Sequence, residues 1–286
     1  MNNIVDIKRF GLVLSKDFRE KWKKYGLQFL TMFGIMAVIL TLWLYSTYNH
    51  SNYSNNHSNY SNFDNMQLLY VASFLFLGFG IIFASTFMES MREKTGRIAY
   101  LTIPASDVEK FISRWLIVTI GYIIAFFIAL WMADAVRVAI LSYSFPKLDI
   151  RLLDWSKLIN PAKENRYSDY VFYNKDFFLL CISIYALLQS LFILGATFWE
   201  KASFVKTFSA IVGIGILYIL LNKWMIHIVH DDINHFGESL GNIFEKNRAT
   251  ENTAMLFFGC IFAFFTLLNW IIAFFRFRES EIIKRL

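Results

Sequence analysis

Glu89 and Glu93 stand four residues apart, the spacing at which two carboxylates share one face of a helix. An intramembrane metalloprotease would use such a pair as metal ligand and general base. The histidines that such a site also needs are missing from the apolar runs. A second constellation gathers His227, His230, Asp231, Asp232 and His235. On a helix, His227 shares a face with Asp231, and Asp231 with His235, and zinc accepts such ligands. A fourth ligand has no evident source, so a solvated polar face is the plainer reading. His50 and His57, seven apart in a polar repeat, suggest a metal even less. Cys181 and Cys260 both fall inside apolar runs, where they read as small buried side chains and not as a loop disulfide. No Gly-rich phosphate loop ends in Lys-Ser or Lys-Thr, and neither HExxH nor GxSxG occurs. The expectation is a chain that is not an enzyme, with no catalytic residue, no metal and no cofactor of its own.

Secondary transporters keep Asp, Glu, Lys or Arg inside the membrane to bind or relay ions. Here charges within the apolar runs, such as Arg114, fall near their ends. The deeper polar groups are amides and hydroxyls: Thr119, Gln189, Ser190 and Asn269. Gln189 and Asn269 have two readings, a helix-to-helix hydrogen bond or a polar contact to a translocated substrate.

The elements that carry these residues are membrane spans. Of 286 residues, 56% are apolar and 17% charged, where a soluble domain carries about 25% charged. Six runs have the length to cross about 30 Å of hydrocarbon: Leu27–Tyr48, Met66–Met88, Phe111–Ala133, Phe177–Phe198, Thr207–Leu221, extending past Asn222, and Ala254–Phe275. They do not alternate as barrel strands do. The fold class expected is an all-α integral membrane protein, one six-span domain over residues 1–286. No cleavable signal peptide is visible in the charged first 26 residues.

Of the 28 Lys and Arg, 18 fall on the N-terminal segment, the second connection, the fourth connection and the tail. The positive-inside rule then places both termini in the cytoplasm. The net charge of +6 marks that side of the bilayer and implies no nucleic acid. Ile4, Ile7, Phe10, Leu14, Phe18, Trp22 and Tyr25 recur every three or four residues among cations, which predicts an amphipathic interfacial helix over residues 1–26. HSNYSN occurs at His50–Asn55 and again at His57–Asn62, and predicts a flexible, solvated first outer loop. Residues 134–176, with Pro146 and Pro161, form a second outer loop with room for one or two short helices. Met225, Val229, Ile233, Phe236, Leu240 and Phe244 keep a helical period within the third, residues 222–253.

The most informative stretch is the cytoplasmic hairpin over residues 89–110. Ile98, Tyr100, Leu101 and Ile103 make a short apolar patch between Arg97 and Pro104. Pro104 ends the helix before it, and Ser106 with Glu109 three residues on is a capping box that begins the third span afresh. Such a protruding cross-helix suits a groove on another protein, or else packs on lipid. The run Arg92–Lys110, with RE, GRI, a Leu, PAS and EK in order, resembles the first cytoplasmic loop of bacterial ABC-2 type transporter permeases. The features that match are Arg92, Glu93, Gly96, Ile98, Leu101, Pro104 and Ser106. Arg97 stands where the family pattern has Thr. The likeness in sequence covers about 20 residues, and the six-span plan extends it to most of the chain.

That resemblance implies a permease subunit of an ATP-binding cassette exporter in a bacterial inner membrane, paired with a second permease subunit as a homodimer or heterodimer. A separate ATPase subunit would hold ATP and Mg. The hairpin, with Arg92, Glu93, Gly96, Arg97, Ile98, Leu101, Ile103, Pro104, Ser106 and Glu109, would couple the two, and Gln189 and Asn269 would face the substrate. The alternative is a non-transporting membrane scaffold or sensor that recruits a cytoplasmic partner through the same hairpin.

Overall fold

Six helices in the computed structural model are long and apolar enough to cross a membrane: Ile7–Thr47, Met66–Ser85, Asp107–Ser144, Lys175–Phe198, Ser203–Trp224 and Asn252–Glu279. The structure describes residues 6–50, 57–91, 94–146, 150–154, 157, 171–172, 174–199, 201–228 and 248–282, and among these there is no strand. The helices are α1 (Ile7–His50), α2 (His57–Ser85), α3 (Lys94–Leu101), α4 (Asp107–Leu116), α5 (Tyr122–Ser144), α6 (Lys175–Phe198), α7 (Ser203–Ile228) and α8 (Arg248–Ile282). A 3-10 turn covers Glu89–Met91, and a π turn over Ile117–Gly121 joins α4 to α5.

Three boundaries differ from the sequence reading. Residues 7–26 are helical but run into the first span without a break at Gly26, giving a single helix of 44 residues. Its length is about 66 Å at 1.5 Å per residue, roughly twice the hydrocarbon thickness. A glycine inside a helix costs only about 1 kcal/mol, too little to interrupt a helix packed on both sides of it. The second outer loop starts later than Asp134, because α5 continues to Ser144. Asp134 and Arg137 neutralise each other at i,i+3, so their charges do not end the helix. The second HSNYSN copy, read as part of a flexible loop, is helical and opens α2. Extending an existing helix fixes one residue per added hydrogen bond and avoids the cost of nucleation. The first copy beyond His50, Pro161 and residues 229–247 lie outside the described residues.

The chain divides into two compact units. The first is Met1–Phe83 with Ile103–Lys175. In it α1 lies alongside α4 and α5, pointing the same way: Arg9 meets Glu109, Asp17 meets Ser113, and Tyr45 meets Phe145. Met32, Met36, Leu40 and Leu44 make the buried stripe of α1, and Tyr122, Phe126, Ala129, Leu130, Ala133 and Leu141 that of α5. The end of α2 joins through rings. Phe76 meets Tyr122 and Phe127 at a tilt and Phe126 edge-on, and Tyr122 Oη donates to the Phe76 carbonyl at 2.6 Å.

The second unit is Ala84–Thr102 with Asp176–Leu286. Here α6 and α7 form a tight hairpin. Its turn passes through Ala202 with φ of 54°, in the left-handed region that L-residues seldom enter. Gly195 of α6 lies so close to Thr207 of α7 that a Cβ would overlap the threonine side chain. Ser203 Oγ, at the start of α7, donates to the buried Ser85 carbonyl at 2.9 Å. Within the apolar windows of α7 and α8 only 6% and 11% of the residues are buried, so most of both helices faces outward.

Candidate functional site

The charged hairpin begins where α2 ends. A 3-10 turn follows, and α3 rises at Lys94. Tyr100 fixes α3 within the second unit: it is buried, and its ring meets the fully buried Phe277 of α8 edge-on at 6.5 Å. With Tyr100 turned inward, Ile98 is turned outward and is 54% exposed. Ala99, Thr102 and Pro104 are exposed beside it, Gly96 and Ile103 are half-buried, and of Arg97 and Leu101 the backbone alone is described. Arg92 and Glu93 lie outside the described residues. Among the described side chains of α3, Tyr100 is anchored and Ile98 and Ala99 are exposed.

The chain crosses from the second unit to the first between Thr102 and Ile103. Ser106 has extended dihedrals, φ −70° and ψ 154°, and caps α4. Its hydroxyl accepts from the Glu109 N–H at 3.3 Å, and its own N–H donates to Glu109 Oε2 at 3.0 Å. This is the capping box expected from Ser106 and Glu109.

Glu109 does more than cap α4. Its side chain has no exposed surface. Arg9 Nε donates to Oε2 at 2.7 Å and Arg9 Nη2 to Oε1 at 2.8 Å, a two-pronged pair. The Asp6 N–H donates to Oε1 at 2.8 Å. Four N–H groups thus converge on one carboxylate, which fills its acceptor capacity in the ionised form. One turn further along α4, Ser113 Oγ donates to the buried Asp17 Oδ2 at 2.9 Å. The buried Lys110 and Arg114 belong to the same region. None of Asp6, Arg9, Asp17 or Ser113 stands out in the sequence, because each partner lies about a hundred residues away.

A second buried network sits in the C-terminal half of α5. Arg137 Nε donates to Asp134 Oδ1 at 2.7 Å, Arg137 Nη2 to the Arg151 carbonyl at 2.8 Å, and the Leu153 N–H to Asp134 Oδ2 at 2.8 Å. Both side chains are at most 1% exposed. The two charges hold residues 150–154 against α5.

Of the two deep amides, Asn269 Nδ2 on α8 donates to Ser190 Oγ on α6 at 2.9 Å, and that hydroxyl donates to the Leu187 carbonyl at 2.7 Å. Gln189 is buried beside them. Among the described residues no group of three or more His, Cys, Asp or Glu could hold a metal ion. The His227–His235 cluster lies outside the described side chains. No protein-family model matches this chain, and neither does any curated protein or any solved structure.

Proposed function

We propose that this chain is the membrane-embedded permease subunit of an ATP-binding cassette exporter, and that the outer edge of α3 receives a separate ATPase subunit. The observation that carries this reading is the two-sided character of α3. A short helix in a charged connection holds Tyr100 against Phe277 and leaves Ile98 bare. An exposed apolar side chain in a connection rich in Lys and Arg suits the centre of a protein interface, which is apolar with a polar rim. Because Tyr100 ties α3 to α8, force applied at Ile98 passes directly into a span. ATP drives such a device only by binding one arrangement of the subunits more tightly than the other.

Residues 7–26 fit the same reading. Phe18 and Trp22 are exposed and stand where the inner interface of a bilayer meets a helix that continues into the first span. Lys23, nearest the span, is exposed as well, and each cation near an anionic surface contributes about 1 kcal/mol. Both termini then face the cytoplasm, and a second permease subunit or lipid covers the outward faces of α7 and α8.

The test is purification in mild detergent from the native host, asking whether an ATP-hydrolysing subunit accompanies this chain. Ile98→Asp and Leu101→Asp should each weaken the complex more than about tenfold, since a buried interface anchor is worth about 2 kcal/mol. Arg97→Ala should act mildly and in proportion to salt. Both Asp variants should still insert and remain monodisperse. If they leave partner binding and ATP turnover unchanged, α3 is not the coupling element and the permease reading loses its support. Capture of an effector without ATPase activity through the same edge would establish the scaffold reading instead.

A further inference from the structure

A capping box is normally the business of one helix: the N-cap side chain accepts from the N3 backbone N–H, and the N3 Glu accepts from the N-cap backbone N–H. Helix α1 has half of this arrangement. Asp6 is its N-cap, accepting from the Lys8 N–H at 2.9 Å through Oδ1 and from the Phe10 N–H at 2.8 Å through its carbonyl. Its N3 position is Arg9, a residue that donates only. The Asp6 N–H therefore has no local acceptor, and Glu109 supplies one from α4. The two carboxylate oxygens share the work evenly. Oε1 takes the Asp6 N–H and Arg9 Nη2, and Oε2 takes the Ser106 N–H and Arg9 Nε.

We infer that Glu109 is a positioning residue that caps α1 and α4 together, so that the start of the N-terminal helix is set by a protein clasp and not by its cations on lipid. Both helices present the positive ends of their dipoles to this one carboxylate. The Arg9 guanidinium fixes its plane. The side chain is without exposed surface, so neither salt nor competing water reaches it readily. Asp17 and Ser113 repeat the link farther along the same pair of helices, and together the two points set the axial register of α1 on α4. The inference is independent of whether the chain transports anything.

An ion pair and a double cap predict different results. Glu109→Gln keeps size but replaces one acceptor oxygen with a donor, which opposes one backbone N–H. Arg9→Met removes the guanidinium and leaves both carboxylate oxygens free to accept. The exchange Arg9→Glu with Glu109→Arg restores a pair of opposite charges but offers no acceptor at position 109. Hydrogen exchange of the full-length protein in nanodiscs reads the outcome, over peptides covering residues 1–12 and 103–112. Glu109→Gln should speed exchange at Asp6 or Ser106 by about tenfold, the factor equal to about 1.4 kcal/mol, and Glu109→Ala should do so at both. Arg9→Met should speed both less than Glu109→Ala does, because the buried carboxylate loses its counter-charge but keeps its two backbone donors. The exchanged pair should leave Ser106 fast, while its Glu at position 9, the N3 site of α1, caps the Asp6 N–H locally. Recovery of slow exchange at Ser106 in the exchanged pair, or loss in Arg9→Met as large as in Glu109→Ala, would overturn the double cap and leave an ordinary ion pair. Unchanged exchange at Asp6 in Glu109→Ala would overturn any role for Glu109 at α1. Amides of Asn252–Glu279 serve as the control for global loosening, and the exchanged pair decides the matter at Ser106 if Glu109→Ala unfolds.

Discussion

Asp134 and Arg137 are a buried ion pair that is costly to disturb one partner at a time. Taking two charges out of water is offset by their mutual attraction only when the remaining hydrogen-bonding groups are also satisfied. Here the Arg151 carbonyl and the Leu153 N–H complete that set. Removing one partner leaves the other charge buried without compensation, at a cost of about 3–5 kcal/mol. Asp134→Ala should therefore lower thermal stability in detergent sharply, and Asp134→Leu combined with Arg137→Met should recover most of the loss. A double variant as unstable as Asp134→Ala would mean that the network's backbone contacts, not its charge balance, hold the segment. Glu109 shows a related economy: one carboxylate answers a charge and two helix ends, and its burial is tolerable because four N–H groups reach it.

Among the elements, the α6–α7 hairpin depends most on close approach. In a bilayer, lipid tails are as apolar as Leu, so helices associate through van der Waals contact and a few polar bonds, not by expelling water. Gly195 permits that contact. A Cβ there would come within 2.8 Å of Thr207 Cγ2 and 2.9 Å of Thr207 Cβ, distances that real atoms do not hold. Gly195→Ala should destabilise the protein by about 1–3 kcal/mol, the usual range for an overpacked core. Adding Thr207→Ala should relieve part of it, since Thr207 Cβ still stands in the way. Thermal unfolding of the single and double variants measures both effects, and a neutral Gly195→Ala would show that α6 and α7 can separate freely at this point. The Asn269–Ser190 bond between α8 and α6 adds a contribution of the order of 0.6 kcal/mol, typical for a polar contact between spans.

For the whole molecule, the open quantity is its sense in the membrane. The concentration of Lys and Arg on alternate connections predicts cytoplasmic termini and an outward-facing start of α2. With Cys181 and Cys260 replaced, a cysteine at Ser58 should react with an impermeant thiol reagent in intact cells. One at Ser280 should react only after the cells are opened. Labelling of Ser280 in intact cells reverses the topology and removes α3 from the reach of any cytoplasmic ATPase. The parallel run of α1 beside α4 and α5, from Arg9–Glu109 to Tyr45–Phe145, fits spans one and three crossing in the same direction, as this topology requires.

The sequence by itself determined the all-helical class of the described residues, the six helices long and apolar enough to cross a membrane, and the Ser106–Glu109 cap. Each of these is written within a short window: about 20 apolar residues for a span, three residues for a capping box. Only the tertiary structure decided what the spans do to one another. Arg9 and Glu109 are separated by 100 residues, and Asp17 and Ser113 by 96, and no local pattern announces either pairing. Which face of a span is covered is equally hidden. The windows of α7 and of the Asp107–Ser144 helix both qualify as membrane spans, yet 6% of one and 39% of the other is buried. The reason is physical: lipid and protein interior are both apolar, so periodicity that separates core from water in a soluble helix does not separate core from bilayer here.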